Sequence, residues 1–186
     1  MKTILAALSL FIALITPLHT FAQEAGKSGK AQSLLGTMTW TGSVPVAADG
    51  SGVMLQSAAR EEPRYQSKES FTPPFTLTVR FAPIARETRF YYGNGLFIFG
   101  WDNDPTQTRV HSPLTHSPKA FPNRAPKPGK EIEFVMKVGA KRMTASLGGA
   151  QFYTETGDFS KLGSPIEIGP CFGNKVKIVS LSISKE

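Results

Sequence analysis

The sequence predicts an all-β fold, a sandwich of two antiparallel sheets, on three observations. Apolar residues recur with period two rather than 3.6 along most of the chain, which marks strands with one packed face and one wet face. Glycine- and proline-containing turns separate these runs at short intervals, as they do in sandwiches and barrels. No amphipathic helix of three turns interrupts them, so crossover helices are absent and antiparallel pairing fits better than parallel.

In chain order, MKTILAALSLFIALITPLHTFAQEA comes first. Lys2 supplies a short basic region, and Ile4 to Ile15 is almost wholly apolar. That stretch is shorter than the ~20 residues of a spanning helix. Thr20, Phe21 and Ala22 offer a small-x-small cleavage pattern before Gln23. Residues 1–22 read as a secretory signal peptide rather than an anchor, which implies a secreted protein, extracellular or periplasmic, with no stable membrane insertion. Residues 23–36, with EAGKSGKAQS at their heart, are small and polar and read as a flexible leader. Residues 37–186 then form a single sandwich domain, large enough for a sizeable core.

FTLTVRF places Phe75, Leu77, Val79 and Phe81 on one face, with Thr76, Thr78 and Arg80 on the other. GLFIF, from Gly95 to Phe99, is continuously apolar and reads as covered on both sides. EIEFVMKV turns Ile132, Phe134, Met136 and Val138 inward, and RMTASL repeats the pattern with Met143, Ala145 and Leu147. Gly148-Gly149 then closes a hairpin onto AQFY. In KVKIVSLSI the apolar phase shifts between Ile178 and Val179, which predicts a bulge. Further turns fall at DGSG (Asp49 to Gly52), GNG (Gly93 to Gly95), KPGK (Lys127 to Lys130) and GN (Gly173-Asn174).

Composition narrows the function. With 17 Gly and 14 Pro the chain could be disordered, but 13 Phe and 4 Tyr supply ample core material. The single cysteine, Cys171, leaves no internal disulfide and reads as a buried, inert thiol. The formal charge of +7 favours anionic surfaces or polymers. No run of five basic residues occurs, and export argues against nucleic acid as a partner. No phosphate loop, dinucleotide fingerprint or C-x-x-C pair is present. The oligomeric state is not legible.

The order of WTGSVPVAADGSGVMLQS, FTPPFTLTVRFAP, EIEFVMKVGAKRMTASLGGAQF and SPIEIGPCFGNKVKIVSLSIS resembles the concanavalin A-like lectin/glucanase superfamily, including laminin-G-like domains. The resemblance covers residues 37–185 and implies a jelly-roll sandwich whose last strand packs back beside the first. Its members bind carbohydrate, cleave it, or serve as protein-interaction modules, so it supports a fold more than an activity. Its glucanases carry a strand with Glu-x-Asp-x-(x)-Glu. Here the nearest run is Glu131-Ile132-Glu133, which lacks the aspartate and the third acid.

Four groups of residues are candidates for chemistry. Glu131 and Glu133, at i and i+2, share a strand face, and paired carboxylates can divide acid and base roles. A retaining glycosidase needs its carboxyls about 5 Å apart. The plainer reading, a solvated strand face continuing to Lys137, is preferred. Asp102, Asn103 and Asp104 are oxygen donors of a kind that suits calcium, which supports sugar sites in lectin-like sandwiches; they equally form an Asx turn before Pro105. Tyr91, Tyr92 and Trp101 flank this loop and the glycine turn, where flat rings can stack on sugar C–H faces. Adjacent Tyr91 and Tyr92 point to opposite faces of a strand, so one is exposed. His111 and His116, in HSPLTHSP, lack helical zinc-pair spacing and any nucleophile elbow.

Val110 to Pro128 reads as a long, proline-stiffened loop that walls a groove, made positive by Arg109, Lys119 and Arg124. The reading that combines these features is a secreted domain that binds carbohydrate or an anionic extracellular polymer through Tyr91, Tyr92, Trp101, Asp102, Asn103, Arg109 and His111. A glycan-cleaving enzyme using Glu131 and Glu133, and a protein-interaction domain, are the alternatives.

Overall fold

The computed structural model describes residues 30–185. Residues 1–22, which the sequence reads as a signal peptide, lie outside the described residues, as does the leader up to residue 29.

The described chain forms two antiparallel sheets with no α-helix. Its strands are β1 (Gln32–Ser33), β2 (Met38–Trp40), β3 (Ala47–Ala48), β4 (Val53–Gln56), β5 (Tyr65–Phe71), β6 (Phe75–Pro83), β7 (Thr88–Tyr92) and β8 (Gly95–Trp101). They continue as β9 (Asp104–His111), β10 (Pro118–Phe121), β11 (Ile132–Val138), β12 (Arg142–Leu147), β13 (Ala150–Thr156), β14 (Ser164–Pro170) and β15 (Lys175–Lys185). One sheet has eight strands in the order β13-β12-β11-β6-β15-β4-β3, with β1 also on β15. The other has seven, in the order β10-β9-β8-β7-β14-β5-β2.

Alternation decides what each strand buries. Phe75, Leu77, Val79 and Phe81 of β6 are at most 1 % exposed, and Phe134, Met136 and Val138 of β11 lie beside them in register. β7 contributes Phe90, and β8 contributes Phe97 and Phe99, from the opposite sheet. The two sets meet through rings: Phe134 is 5.0 Å from Phe90 and 5.2 Å from Phe99, centroid to centroid. The sandwich is therefore held by aromatic contacts that cross between the sheets, each worth roughly 0.5–1.5 kcal/mol beyond the area it buries.

The bulge in β15 falls where the phase shift predicts it. Pairing with β6 slips between Ile178 and Ser180, and Val176, Ile178, Leu181 and Ile183 all stay buried. The β12–β13 hairpin turns at Gly148 and Gly149, both with positive φ, as a two-residue connection of primed type requires.

Two expectations need correction. Order begins before Thr37: Gln32 and Ser33 pair with Ile183 and Ser182, and Leu34 is 2 % exposed. An apolar leucine within the polar leader finds room against β15, and the Leu34 N–H donates to the Leu181 carbonyl. Val110 to Pro128 is not one open loop either. It contains the end of β9, and β10 pairs back onto β9 from Phe121↔Thr108 to Pro118↔His111.

Candidate functional site

The outer face of the seven-stranded sheet gathers most of the predicted ligand residues. Cross-strand register sets Glu167 of β14, Tyr91 of β7, Leu96 of β8 and His111 of β9 side by side. One pleat further along, Arg89, Ile98 and Arg109 form a second row. Ile98 is 5 % exposed although it points outward. The apolar run in GLFIF is thus covered on its outer side at Ile98, in register between Arg89 and Arg109, but not at half-buried Leu96.

A groove of about 260 Å³ opens at the end of the first row. Tyr91, Gly93, Asn94, Gly95, Leu96, His111 and His116 line it. Its floor is the β7–β8 turn and its wall is the β9–β10 connection. Ser112 folds that connection: its hydroxyl oxygen accepts the N–H groups of Leu114 and Thr115 at 3.1 and 2.9 Å and donates to Glu155. Pro113 then lies on Gly95, where a side-chain carbon would sit 3.0 Å from the proline ring. Ser112 is therefore a loop cap rather than a partner for either histidine. Folding back brings His116, exposed at the loop's end, to the same groove as His111.

Tyr91 is held from two sides. Its hydroxyl donates to Glu62, and the Arg64 guanidinium lies 3.5 Å from its ring centroid. Burial and the Glu62 contact push its hydroxyl pKa up. Arg64 also pairs with Glu62 and with Glu167, each at 3.2 Å, and Arg89 pairs with Glu62 and Glu87. Glu87 is 1 % exposed, and among the described residues its second carboxylate oxygen has no hydrogen-bond partner. Beside it Cys171 is fully buried, its thiol pushed up to about 12 by burial and then by the Glu87 charge. The burial expected of this cysteine is what the structure shows.

Trp101 reaches the outer face through a bulge. Pairing of β8 with β9 shifts between Phe99 and Trp101, at Gly100 with φ +74°. Without that shift, alternation would send Trp101 inward with Phe97 and Phe99. The Arg109 guanidinium covers one face of the indole at 3.2 Å from the ring centroid, and its Nε donates to Gln107 Oε1 at 2.7 Å. Among the described residues Arg109 has no ion-pair partner, whereas Arg64 and Arg89 each have two. Burial, and then the charges of Arg109 and Arg89, hold His111 below the ordinary histidine value.

Other predicted residues fall elsewhere. Tyr92 is core: it is 1 % exposed, with its hydroxyl 2.9 and 3.0 Å from the carbonyls of Phe71 and Leu162. Alternation put Tyr91 outward, so its neighbour had to go in. Asp102 and Asn103 form the exposed β8–β9 turn. Asp104 Oδ1 already accepts the Thr106 N–H at 3.0 Å and hydroxyl at 2.7 Å. Among the described residues no three His, Cys, Asp or Glu side chains converge as a metal would need. The hydrogen bonds of Asp104 are those of an Asx turn. Glu131 and Glu133 are exposed on the eight-stranded sheet, where Glu131 pairs with Arg80. They share no sheet with the groove and occupy a solvated strand face.

Sequence reasoning missed Glu62, Arg64, Arg89, Asn94, Leu96 and Glu167. The i, i+2 pair Arg89 and Tyr91 was available as a signal, but Glu62 and Arg64 arrive from another part of the chain.

No family model matches the sequence, and no curated protein matches it. Solved structures do resemble it in fold. One is a Bacillus subtilis protein of unknown function with a galectin-like fold, at TM-score 0.69 and 10 % identity, covering 86 % of this chain and 96 % of that one. Another is the Bacillus licheniformis β-glucanase, at 0.65 and 9 %, covering 88 % and 100 %. A third is the exoplasmic/lumenal domain of VIP36 in a Ca2+/Man-bound form, at 0.62 and 11 %, covering 79 % and 82 %. Identities this low speak for architecture alone. With its two antiparallel sheets and these neighbours, the chain has the fold of the concanavalin A-like lectin/glucanase superfamily.

Proposed function

We propose that the protein is a secreted carbohydrate-binding domain without catalysis of its own, using the groove on the outer face of the seven-stranded sheet. The observation that carries this reading is the convergence of Tyr91, the Gly93–Gly95 turn, Leu96, His111 and His116 on one concave patch. Sugars present alternating C–H faces and hydroxyls. An aromatic and a leucine side chain suit the first, and an amide, two imidazoles and turn backbone suit the second. Fold neighbours that include a mannose-bound lectin domain and a glucanase support the carbohydrate class. Among the described residues no carboxylate lines the groove, whereas glycoside cleavage by the usual route needs two flanking the bond. That favours binding over hydrolysis.

A glycan array with the secreted form tests the reading, comparing wild type with an Asn94→Ala/His116→Ala variant. Both side chains are exposed, so the variant should fold. Saturable binding that the variant loses is the expected result. Binding that survives both substitutions would move the site away from the groove. Release of reducing sugar that disappears in Glu131→Gln/Glu133→Gln would replace the proposal with the enzyme alternative.

A further inference from the structure

Arg109 and its surroundings extend that reading to a ligand class. Of the three arginines on this face, Arg64 and Arg89 are neutralised by Glu62, Glu87 and Glu167. Arg109 is not. Its guanidinium is nevertheless fixed, flat on Trp101 and tied through Nε to Gln107. A guanidinium held in one plane with no carboxylate of its own has its remaining N–H donors in a fork that matches a bidentate oxyanion. His111 follows two residues later on the same strand face, roughly 7 Å along by the strand rise, and it lines the groove.

We propose that Arg109 and His111, with His116 across the groove, form a subsite for the anionic group of an acidic sugar, a carboxylate or a sulfate ester. The inference rests on the carbohydrate reading and narrows it.

The groups around His111 agree with an anion rather than a cation as occupant. On its own strand lies Arg109; on β7 lie Arg89 and Tyr91; on the β9–β10 connection lies His116. The cross-strand partners of His111 are Leu96 on β8 and Pro118 on β10, both uncharged. Lys119 on β10 turns its ammonium to the Tyr153 ring, and Glu155 on β13 is engaged by Ser112 and Tyr153. Glu62, Glu87 and Glu167 are already paired with Arg64 or Arg89, and Asp104, beside Trp101, is engaged by Thr106 and Gln107, so an arriving anion meets positive charge at Arg109 that no ion pair neutralises among the described residues. Protonation of His111 adds to it. His111 titrates below 6.5, so binding of an anion tightens as the pH falls through that region, and salt weakens it.

The test is titration calorimetry with polygalacturonate (carboxylate), a sulfated galactan (sulfate), the methyl-esterified polygalacturonate and neutral galactan and mannan. Wild type, Arg109→Gln and Arg109→Lys are compared, with far-UV circular dichroism to confirm folding. The expected result is binding to at least one of the two anionic polymers, weaker in high salt and tighter below pH 6.5 than above it. R109Q should weaken it roughly 10- to 100-fold, the equivalent of one charge-assisted contact. R109K, which keeps charge but loses the fork, should fall between. Which anionic polymer binds assigns carboxylate or sulfate.

Binding to neutral glycans alone, equal binding of acid and ester, or a folded R109Q that binds the acid like wild type would each overturn the subsite while leaving the carbohydrate reading intact. Silence toward every polymer would remove both. If R109Q fails to fold, the ester comparison and the salt and pH dependence of wild type decide.

Discussion

Gly100→Ala is the substitution that most directly tests how the bulge builds this face. Gly100 has φ +74°, and a Cβ built there would lie 2.3 Å from the Arg86 carbonyl oxygen, short of ordinary contact by about 1 Å. Two costs combine. An L-residue in the left-handed region loses roughly 1–2 kcal/mol, of which about 0.4–1 kcal/mol is offset because alanine also restricts the unfolded chain. The clash is with backbone, so the β6–β7 connection itself must move, and forced repacking of this kind costs roughly 1–3 kcal/mol. The sum is about 1–5 kcal/mol. Gly129, with φ +73° and nothing within 4 Å of a built Cβ, isolates the first cost.

Urea unfolding of both variants measures the difference, with Gly129→Ala expected to lose about 1 kcal/mol or less. At roughly 2–4 °C per kcal/mol for a chain of this size, G100A should melt about 2–20 °C lower than wild type. If G100A and G129A unfold within about 0.5 kcal/mol of each other, the Arg86 contact is not what demands glycine. The placement of Trp101 by that bulge would then need another account. Moving Gly100 also displaces Trp101 under Arg109, so G100A should weaken ligand binding while G129A leaves it unchanged.

Two further outcomes follow from groups outside the groove. Asp49, bonded to Lys177 and Ser51, and Asp158, bonded to Ser160 and Lys141, both have carboxyls lowered from 3.8 to about 2. A carboxyl depressed in the folded state contributes stability above its unfolded value and loses it as pH falls through the folded one, so their share should disappear between about pH 4 and pH 2. A melting series across that window should be flatter for Asp49→Asn/Asp158→Asn than for wild type; identical slopes would show that these pairs do not contribute. Cys171, fully buried with its thiol pushed up to about 12, should resist a thiol reagent in the native protein and react stoichiometrically in denaturant. Rapid native labelling would contradict its burial between the sheet and Glu87.

Alternation alone determined which side chains of β6, β11 and β12 face the core, because a strand has only two faces and the apolar one must leave water, whereas the continuously apolar GLFIF of β8 carries no such phase. The phase slip in KVKIVSLSI located the β15 bulge for the same reason. Adjacency of Tyr91 and Tyr92 required that one face outward, and the structure chose Tyr91 because Tyr92 fills the core beside Phe75, 5.0 Å away. That Cys171 forms no internal disulfide was legible because it is the single cysteine of the sequence, and its burial agrees with the buried thiol expected.

Tertiary structure decided everything that depends on distant segments meeting. Leu34 joined the core only because β15 extends far enough to receive it. His111 and His116, unpromising as a spaced pair, came to one groove because Ser112 folds their loop over Gly95. Glu131 and Glu133 went to the other sheet, since β11 pairs with β6 rather than with the strands that carry Tyr91 and His111. Whether a given arginine is neutralised or left free was decided in the same way. Glu62 lies 27 residues before Arg89 and 29 before Tyr91, and Arg64 lies 27 before Tyr91 and 103 before Glu167. An ion pair over such spans is set by sheet order, which local pattern does not encode.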